Sequence, residues 1–234
     1  MRIAASGDIH YKDFLEKFAK ELENLPDVDI FLSAGDLTEK SDLEGYGSVL
    51  ETVRSSVDCP IVGVFGNEEY SQDRPKYRER FDMIFLEEES ELLNIRGRRV
   101  RIIGSTGSLD RPTWWQRTNI PQIWRDYAER VKRIDNLLEG DELTILLMHY
   151  APTYGTLKGE KEKYFPEMGS TKYEDIILKR CPEIVIHGHA HKGTKFFLLT
   201  KKQTSLEDFG VDLPSVPVYN VAFPIEEKIT VIEL

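Results

Sequence analysis

Seven side chains of this sequence are of types that bind divalent metals, and they fall in short motifs. Gly7-Asp8-Ile9-His10 comes first. Gly35-Asp36, Gly66-Asn67-Glu68-Glu69, a lone His149 and Gly188-His189-Ala190-His191 follow. Mixed carboxylate, amide and imidazole groups suit manganese, iron or zinc. Two such ions, about 3.5–4 Å apart, acidify a water and neutralise charge on a phosphoryl group during in-line attack. The chemistry to expect from this set is metal-assisted phosphoester hydrolysis.

Placement carries more information than residue type. Asp8, Asp36 and Asn67 each follow a short apolar run that ends in glycine, and His149 directly follows another apolar run. A buried strand that ends in this way presents a polar side chain at the carboxyl edge of its sheet, where ligands bind in open α/β folds. Repeating the pattern from distant parts of the chain brings the groups to one place. Taken singly, Asp8 and Asp36 read equally well as helix N-caps, Asn67 as a turn residue and the histidines as ordinary loop residues. The set reverses those readings, because four of the five histidines fall on candidate positions. The fifth, His187, lies just before Gly188 and reads as a buried residue that supports a ligand.

The elements that must position these groups alternate at first. Ile3–Ser6, Ile30–Ser33 and Ile61–Phe65 read as strands. Asp13–Leu25 and Leu43–Val57 read as the helices between them, which implies βαβ units and a largely parallel sheet. Leu92–Ile95 and Val100–Gly104 then flank Arg96-Gly97-Arg98-Arg99, a hairpin signal. Pro121–Leu138 is an amphipathic helix with Ile123, Tyr127, Val131, Ile134 and Leu138 on one face. Leu143–Met148 reads as a strand ending at His149, Lys172–Arg180 as a helix and Ile184–Ile186 as a strand ending at the histidine cluster. Lys195–Leu199, Val216–Val221 and Lys228–Glu233 read as antiparallel strands. Ser105–Asn119, Ala151–Thr171 and Thr200–Pro214 are expected loops, long enough to be functional. The expectation is a single domain over residues 1–234.

Composition narrows the partners. A chain of 234 residues with 40% hydrophobic side chains can build one substantial core. A formal net charge of −10 counts against clamping an extended nucleic acid, which asks for a basic surface. No apolar run approaches the roughly 20 residues of a membrane helix, and Met1–Ser6 leads straight into a strand with no room for a signal peptide. The two cysteines, Cys59 and Cys181, do not form a disulfide framework. A cytoplasmic location is the expectation, with a small phosphorylated molecule as partner and the oligomeric state open.

At this point the chain resembles the calcineurin-like metallophosphoesterase superfamily. That pattern runs Asp-x-His, Gly-Asp, Gly-Asn-His-Asp/Glu, a lone His, then Gly-His-x-His, and all five blocks occur here in order. The resemblance implies an α/β sandwich of two mixed β-sheets flanked by helices. It also implies a two-metal site: Asp8, His10 and His191 on one ion, Asn67, His149 and His189 on the other, and Asp36 bridging them. The third block departs from the pattern. Glu68 stands where the superfamily has a histidine that contacts the phosphate and protonates the leaving oxygen, and Glu69 stands where that histidine's acidic partner would be. Losing a positioned general acid typically costs about 10²–10⁴ in rate, and an ionised carboxylate beside a phosphate repels it. Asp36, Asn67 and Glu68 are therefore the candidate catalytic positions, with Glu68 the one that departs from the superfamily in kind. The favoured activity is hydrolysis of a small phosphomonoester or phosphodiester, such as a nucleotide. The alternatives are a metal-dependent nuclease and a metal-bearing binding or scaffold protein with catalysis weakened at Glu68.

Two segments carry candidate substrate contacts. All three tryptophans, Trp114, Trp115 and Trp124, lie with Arg111 and Arg117 in one stretch, where a flat ring beside a cation suits a nucleobase and its phosphate. Without helical periodicity, Trp114–Trp115 reads as a loop bordering the site. Lys158, Lys161, Lys163 and Tyr164, interleaved with Glu160 and Glu162, read as a solvated segment or, coming after His149, as a lid.

Overall fold

Successive side chains on the central strands enter two different cores, and this alternation decides the architecture. On β1 (Arg2–Ser6), Ile3 and Ala5 join one cluster and Ala4 another. On β2 (Ile30–Ser33), Ile30 and Leu32 go with the first and Phe31 with the second. β7 (Leu143–Met148) sends Ile145 and Leu147 to that same shared cluster, and Leu146 and Met148 to a third. Strands apolar on both faces are covered on both sides. The shared cluster lies between two sheets, and the other two lie under helices on the outer faces. The computed structural model describes residues 1–201 and 213–234.

The first sheet has five strands in the order β11-β1-β2-β3-β4. It contains β3 (Ile61–Val64), β4 (Ile84–Leu86) and β11 (Thr230–Glu233), and only β11 runs antiparallel, against β1. The helices α1 (Tyr11–Glu23), α2 (Leu43–Arg54) and α3 (Arg74–Arg80) belong to this half, where Phe18, Leu22, Tyr46, Val49 and Tyr77 complete its outer core. The second sheet has six strands in the order β5-β6-β7-β8-β10-β9. They are β5 (Glu89–Ile95), β6 (Arg98–Ser105), β7, β8 (Ile184–His187), β9 (Phe196–Thr200) and β10 (Ser215–Asn220). Helices α5 (Ile123–Leu137) and α6 (Lys172–Arg180) cover it through Ile134, Tyr173 and Ile177. Two mixed sheets between helical layers make the α/β sandwich that the sequence implied.

Several local expectations change. The β5–β6 turn is tighter than the four residues expected. Ile95 pairs directly with Arg98, leaving Arg96 and Gly97 as a two-residue turn with φ of 50° and 79°, the left-handed geometry that matches strand twist. β10 is antiparallel to β9 but parallel to β8. The Ser105–Asn119 segment is not all loop, because α4 (Trp114–Asn119) forms within it. Thr113 and Gln116 close a capping box there, and no α4 residue is buried, so no apolar period could mark it. Ala151–Thr171 contains two 3-10 segments, Tyr154–Leu157 and Glu162–Glu167. The expected Thr200–Pro214 loop falls largely outside the described residues.

Asp110 ties the Ser105–Asn119 and Ala151–Thr171 segments together. Its carboxylate accepts from Ser170 Oγ at 2.7 Å, Tyr154 Oη at 2.8 Å, and Thr171 N and Oγ1 at 3.0 and 3.1 Å. Burial raises its pKa, but these donors outweigh burial and lower it. A lowered carboxylate pKa stabilises the fold above the unfolded value, and that contribution is lost as pH falls through the folded one. Asp110→Ala should cost about 2–4 kcal/mol at pH 7, since hydrogen bonds to a charged group are worth roughly 1.5–3 kcal/mol each and do not add fully. Urea midpoints for variant and parent should converge in acid; equal midpoints at pH 7 would refute the role.

Candidate metal centre

The parallel strands deliver their carboxyl ends side by side. Ser6 pairs with Ser33 and Ser33 with Gly63 in one sheet, and Ser105 pairs with Met148 and Leu147 with Ile186 in the other. Just past these ends the chain turns sharply. Asp8, His10, Asp36 and His189 all have positive φ, at 57°, 44°, 51° and 69°. Asp and His tolerate the left-handed region better than most residues, yet four such positions in one place are backbone strain of the kind that clusters at functional sites. Glycine makes the close packing feasible. A Cβ on Gly66 would lie 2.0 Å from Asp36 Oδ1, and one on Gly188 would lie 2.4 Å from Asp8 Oδ2.

All the candidate ligands converge. Asp8, Asp36, His149 and His189 form one group and Asp8, His10 and His191 a second, with the ligating atoms of each within 4.8 Å of one another. Asn67 Oδ1 sits 3.1 Å from His149 Nε2, which adds the amide to the first group. His191 Nε2 lies 3.1 Å from Asp8 Oδ1 and 3.3 Å from His10 Nε2. The resemblance gives the bridging position to Asp36, which lies with His149 and His189 in the first group; Asp8 takes part in both groups.

Surrounding contacts aim these side chains. His149 Nδ1 is 2.8 Å from the Ala34 carbonyl. A proton on Nδ1 satisfies that acceptor and makes Nε2 the nitrogen that would hold a cation. The Tyr150 ring meets the His189 ring edge-on, with centroids 4.9 Å apart. His187 is fully buried, with Nε2 2.8 Å from Thr156 Oγ1; it supports the strand end and is not among the converging ligands. Sequence reasoning gave Glu69 a position but no role of its own. Its buried carboxylate accepts backbone N–H groups from Asp36 at 2.9 Å, Leu37 at 3.0 Å and Gly66 at 2.7 Å, stitching the ends of β2 and β3 together. The one signal for that role was an acidic residue retained without the histidine it would otherwise serve.

The electrostatics fit bound cations. Asp8, Asp36 and Glu69 are three carboxyl groups within 2% of full burial, an arrangement that costs several kcal/mol per ion unless compensated. Burial raises the Asp8 carboxyl, but the hydrogen bond with His191 and the neighbouring imidazoles outweigh it and hold it at about 2. Burial lowers His149, but Asp36 beside it wins and pushes it to about 9. Burial dominates at His189, which falls to about 3, and at Glu69, which rises to about 7 with Asp36 adding to the effect. His10 Nδ1 is a buried polar atom with no hydrogen-bond partner among the described residues. Two carboxylates, an amide and four imidazoles in this packing suit a borderline divalent cation.

A two-sheet α/β sandwich with a carboxylate–histidine cluster at its carboxyl edges is the build of a metallohydrolase. The chain belongs to the calcineurin-like phosphoesterase family, whose model matches residues 1–193. No curated protein matches the sequence. Among solved structures, the chain is similar to the protein TT1561 of Thermus thermophilus, at 18% identity and a TM-score of 0.58, over 99% of this chain and 93% of that one. It is also similar to the purple acid phosphatase PPD1 from yellow lupin seeds, at 15% identity and a TM-score of 0.63, over 100% of this chain and 46% of that longer one. At these identities the likeness is one of fold. Among the described residues, no helix is long and apolar enough to cross a membrane.

Proposed function

We propose that this chain is a two-metal phosphoesterase acting on a small phosphomonoester or phosphodiester such as a nucleotide. The observation that carries the reading is the convergence of Asp8, His10, Asp36, Asn67, His149, His189 and His191 on one edge of the sandwich. When bound there, two divalent ions would supply charge neutralisation on the phosphoryl oxygens and an acidified water. The chain's own contribution is preorganisation. Glu69 fixes the backbone that carries Asp36 and Asn67, Ala34 fixes the His149 tautomer, and Tyr150 braces His189. Purified protein loaded with Mn²⁺ should hydrolyse p-nitrophenyl phosphate or its bis-ester and prefer nucleotides to single-stranded DNA. Two equivalents of metal by elemental analysis should accompany the activity. Metal without turnover on any of these esters would favour a binding protein, for which the replacement of histidine by Glu68 is the specific motive.

A chain of packing contacts supports the reading that the aromatic segment borders this site. Ile120, the C-cap of α4, packs with Ile123, Tyr127 and Tyr150, and Tyr150 in turn contacts His189. Trp114 and Trp115 are 70% and 60% exposed, which leaves indole surface open to a stacking partner. Adding adenosine monophosphate to the Mn²⁺-loaded protein should quench tryptophan fluorescence, and Trp115→Ala with Trp114→Ala should remove the response. Base–aromatic stacking is worth about 1–3 kcal/mol, so apparent affinity should fall roughly fivefold or more. An unchanged affinity in the double variant would make these rings surface features only.

A further inference from the structure

A cavity of about 240 Å³ opens beside His10 and is lined by His10, Tyr11, Lys12, Glu39, Lys40 and Asp42. We infer that it is a subsite for a second anionic group of the substrate, so that the preferred ester carries two phosphates or a phosphate and a carboxylate. The inference rests on the phosphoesterase reading and adds to it the substrate class.

Two lysines line this space, and neither is paired with a carboxylate among the described residues. Of the two acids beside them, Asp42 is engaged and Glu39 is exposed. Asp42 Oδ1 accepts the Gly45 N–H as the N-cap of α2, and Glu39 lies 3.9 Å from His10 Nδ1. Tyr11 and Lys12 are the first two residues of α1, and Asp42 precedes the first residue of α2. The N-terminus of α1, which no side chain caps, therefore stands in the cavity wall and adds roughly half a positive charge. A compact dianion is the ligand this combination favours.

The backbone that presents Lys40 is strained and held in place. Lys40 and Ser41 have φ of 53° and 54°, successive non-glycine residues in a region that costs about 1–3 kcal/mol each. Glu68 holds both. Its Oε2 accepts the Lys40 N–H at 3.0 Å, and its carbonyl accepts the Ser41 N–H at 2.9 Å. Ser41 Oγ in turn accepts the Tyr70 N–H at 2.8 Å. Glu68 thus anchors a lysine beside the metal cluster from the position where the superfamily carries its phosphate-contacting histidine. The repulsion expected from Glu68 is reduced by this engagement, and Lys40 returns a cation to the neighbourhood.

The test uses the full chain loaded with Mn²⁺. Inorganic pyrophosphate binding is measured by calorimetry on the parent and on the Lys12→Met/Lys40→Met variant. Kinetics are then compared on p-nitrophenyl phosphate and adenosine diphosphate. The subsite predicts pyrophosphate affinity at least tenfold weaker in the double variant. It also predicts a rise in KM for adenosine diphosphate that exceeds the rise for p-nitrophenyl phosphate by about the same factor. Equal pyrophosphate affinity in parent and variant overturns the subsite, whatever the enzyme does with esters. Lysine-dependent pyrophosphate binding by a protein that hydrolyses no ester would keep the subsite and sink the phosphoesterase reading instead.

Discussion

Asp36→Ala should lose most of its metal and nearly all of its activity. The carboxylate is 2% exposed. Its Oδ1 accepts the Glu68 N–H at 2.8 Å and its Oδ2 lies 3.4 Å from His149 Nε2. Removing it withdraws a charge from the Asp8, Asp36, His149 and His189 group and leaves His149 with no carboxylate at that distance. Outer-sphere partners of a metal site already command about 10–100-fold in affinity or activity, so a direct ligand should command more. Asp36→Asn separates causes, because it keeps the shape and the oxygen that receives Glu68 N–H while removing the charge. It should unfold at a urea concentration close to the parent's and still retain less than half the parent's metal after dialysis. An Asp36→Ala protein that holds as much Mn²⁺ as the parent would refute the assignment of the centre.

His191 and Asp8 give a milder version of the same effect. They share one short contact, and the Asp8 carboxyl is held low by that contact together with the imidazoles around it. Loss of His191 should therefore raise the Asp8 pKa as well as remove a ligand, and metal retention should become more sensitive to acid than in the parent. The two losses point the same way, which is why His191 and Asp8 cannot be treated as independent sites.

What the sequence revealed and what it concealed divide along a physical line. Strands apolar on both faces, ended by a polar residue either directly or after glycine, are visible in the residues themselves, so β1, β2, β3, β7 and β8 and the groups at their ends were legible. The sandwich was legible only through the resemblance, because periodicity does not say which buried strands share a sheet. α3 was missed because polar contacts hold it. Arg74 is buried, donating to the Glu69 and Gly66 carbonyls and pairing with Glu87. In the sequence, that element is only a charged run. α4 was missed because a capping box, not an apolar face, starts it. The clamp made by Glu69 was hidden for a different reason: its partners are backbone N–H groups, which no residue type announces. The strained Lys40–Ser41 backbone was hidden likewise, since neither residue favours positive φ.

The remaining large effect concerns the leaving group. Among the described residues, Glu68 occupies the place of the superfamily's proton donor, and its carboxylate is an acceptor there: Lys40 N–H at 3.0 Å and the Asn67 amide at 3.3 Å both donate to it. A group that is receiving two N–H donors is poorly placed to give up a proton of its own. Attack on phosphorus can proceed without that donor, but expulsion of a poor leaving group cannot proceed well. Activity should therefore fall steeply as leaving-group pKa rises, with aryl esters favoured over alkyl esters by about the 10²–10⁴ that a positioned general acid contributes. Glu68→His restores a donor whose ordinary pKa is near neutral and removes a negative charge beside the phosphate. It also frees the Lys40 loop and the Asn67 amide. The two consequences separate in the kinetics. The ratio of aryl to alkyl kcat should shrink by roughly tenfold or more, through a gain on alkyl esters, while KM for a two-anion substrate should rise as Lys40 loses its anchor. Glu68→Gln, which keeps an acceptor oxygen for Lys40 N–H, should leave the aryl-to-alkyl ratio near the parent's and disturb KM less than Glu68→His does. The measurement is kcat and KM for a series of esters spanning aryl and alkyl leaving groups in all three proteins. A parent enzyme equally fast on both ester types, and slowed on both by Glu68→His, would show that the carboxylate itself takes part in the proton transfer.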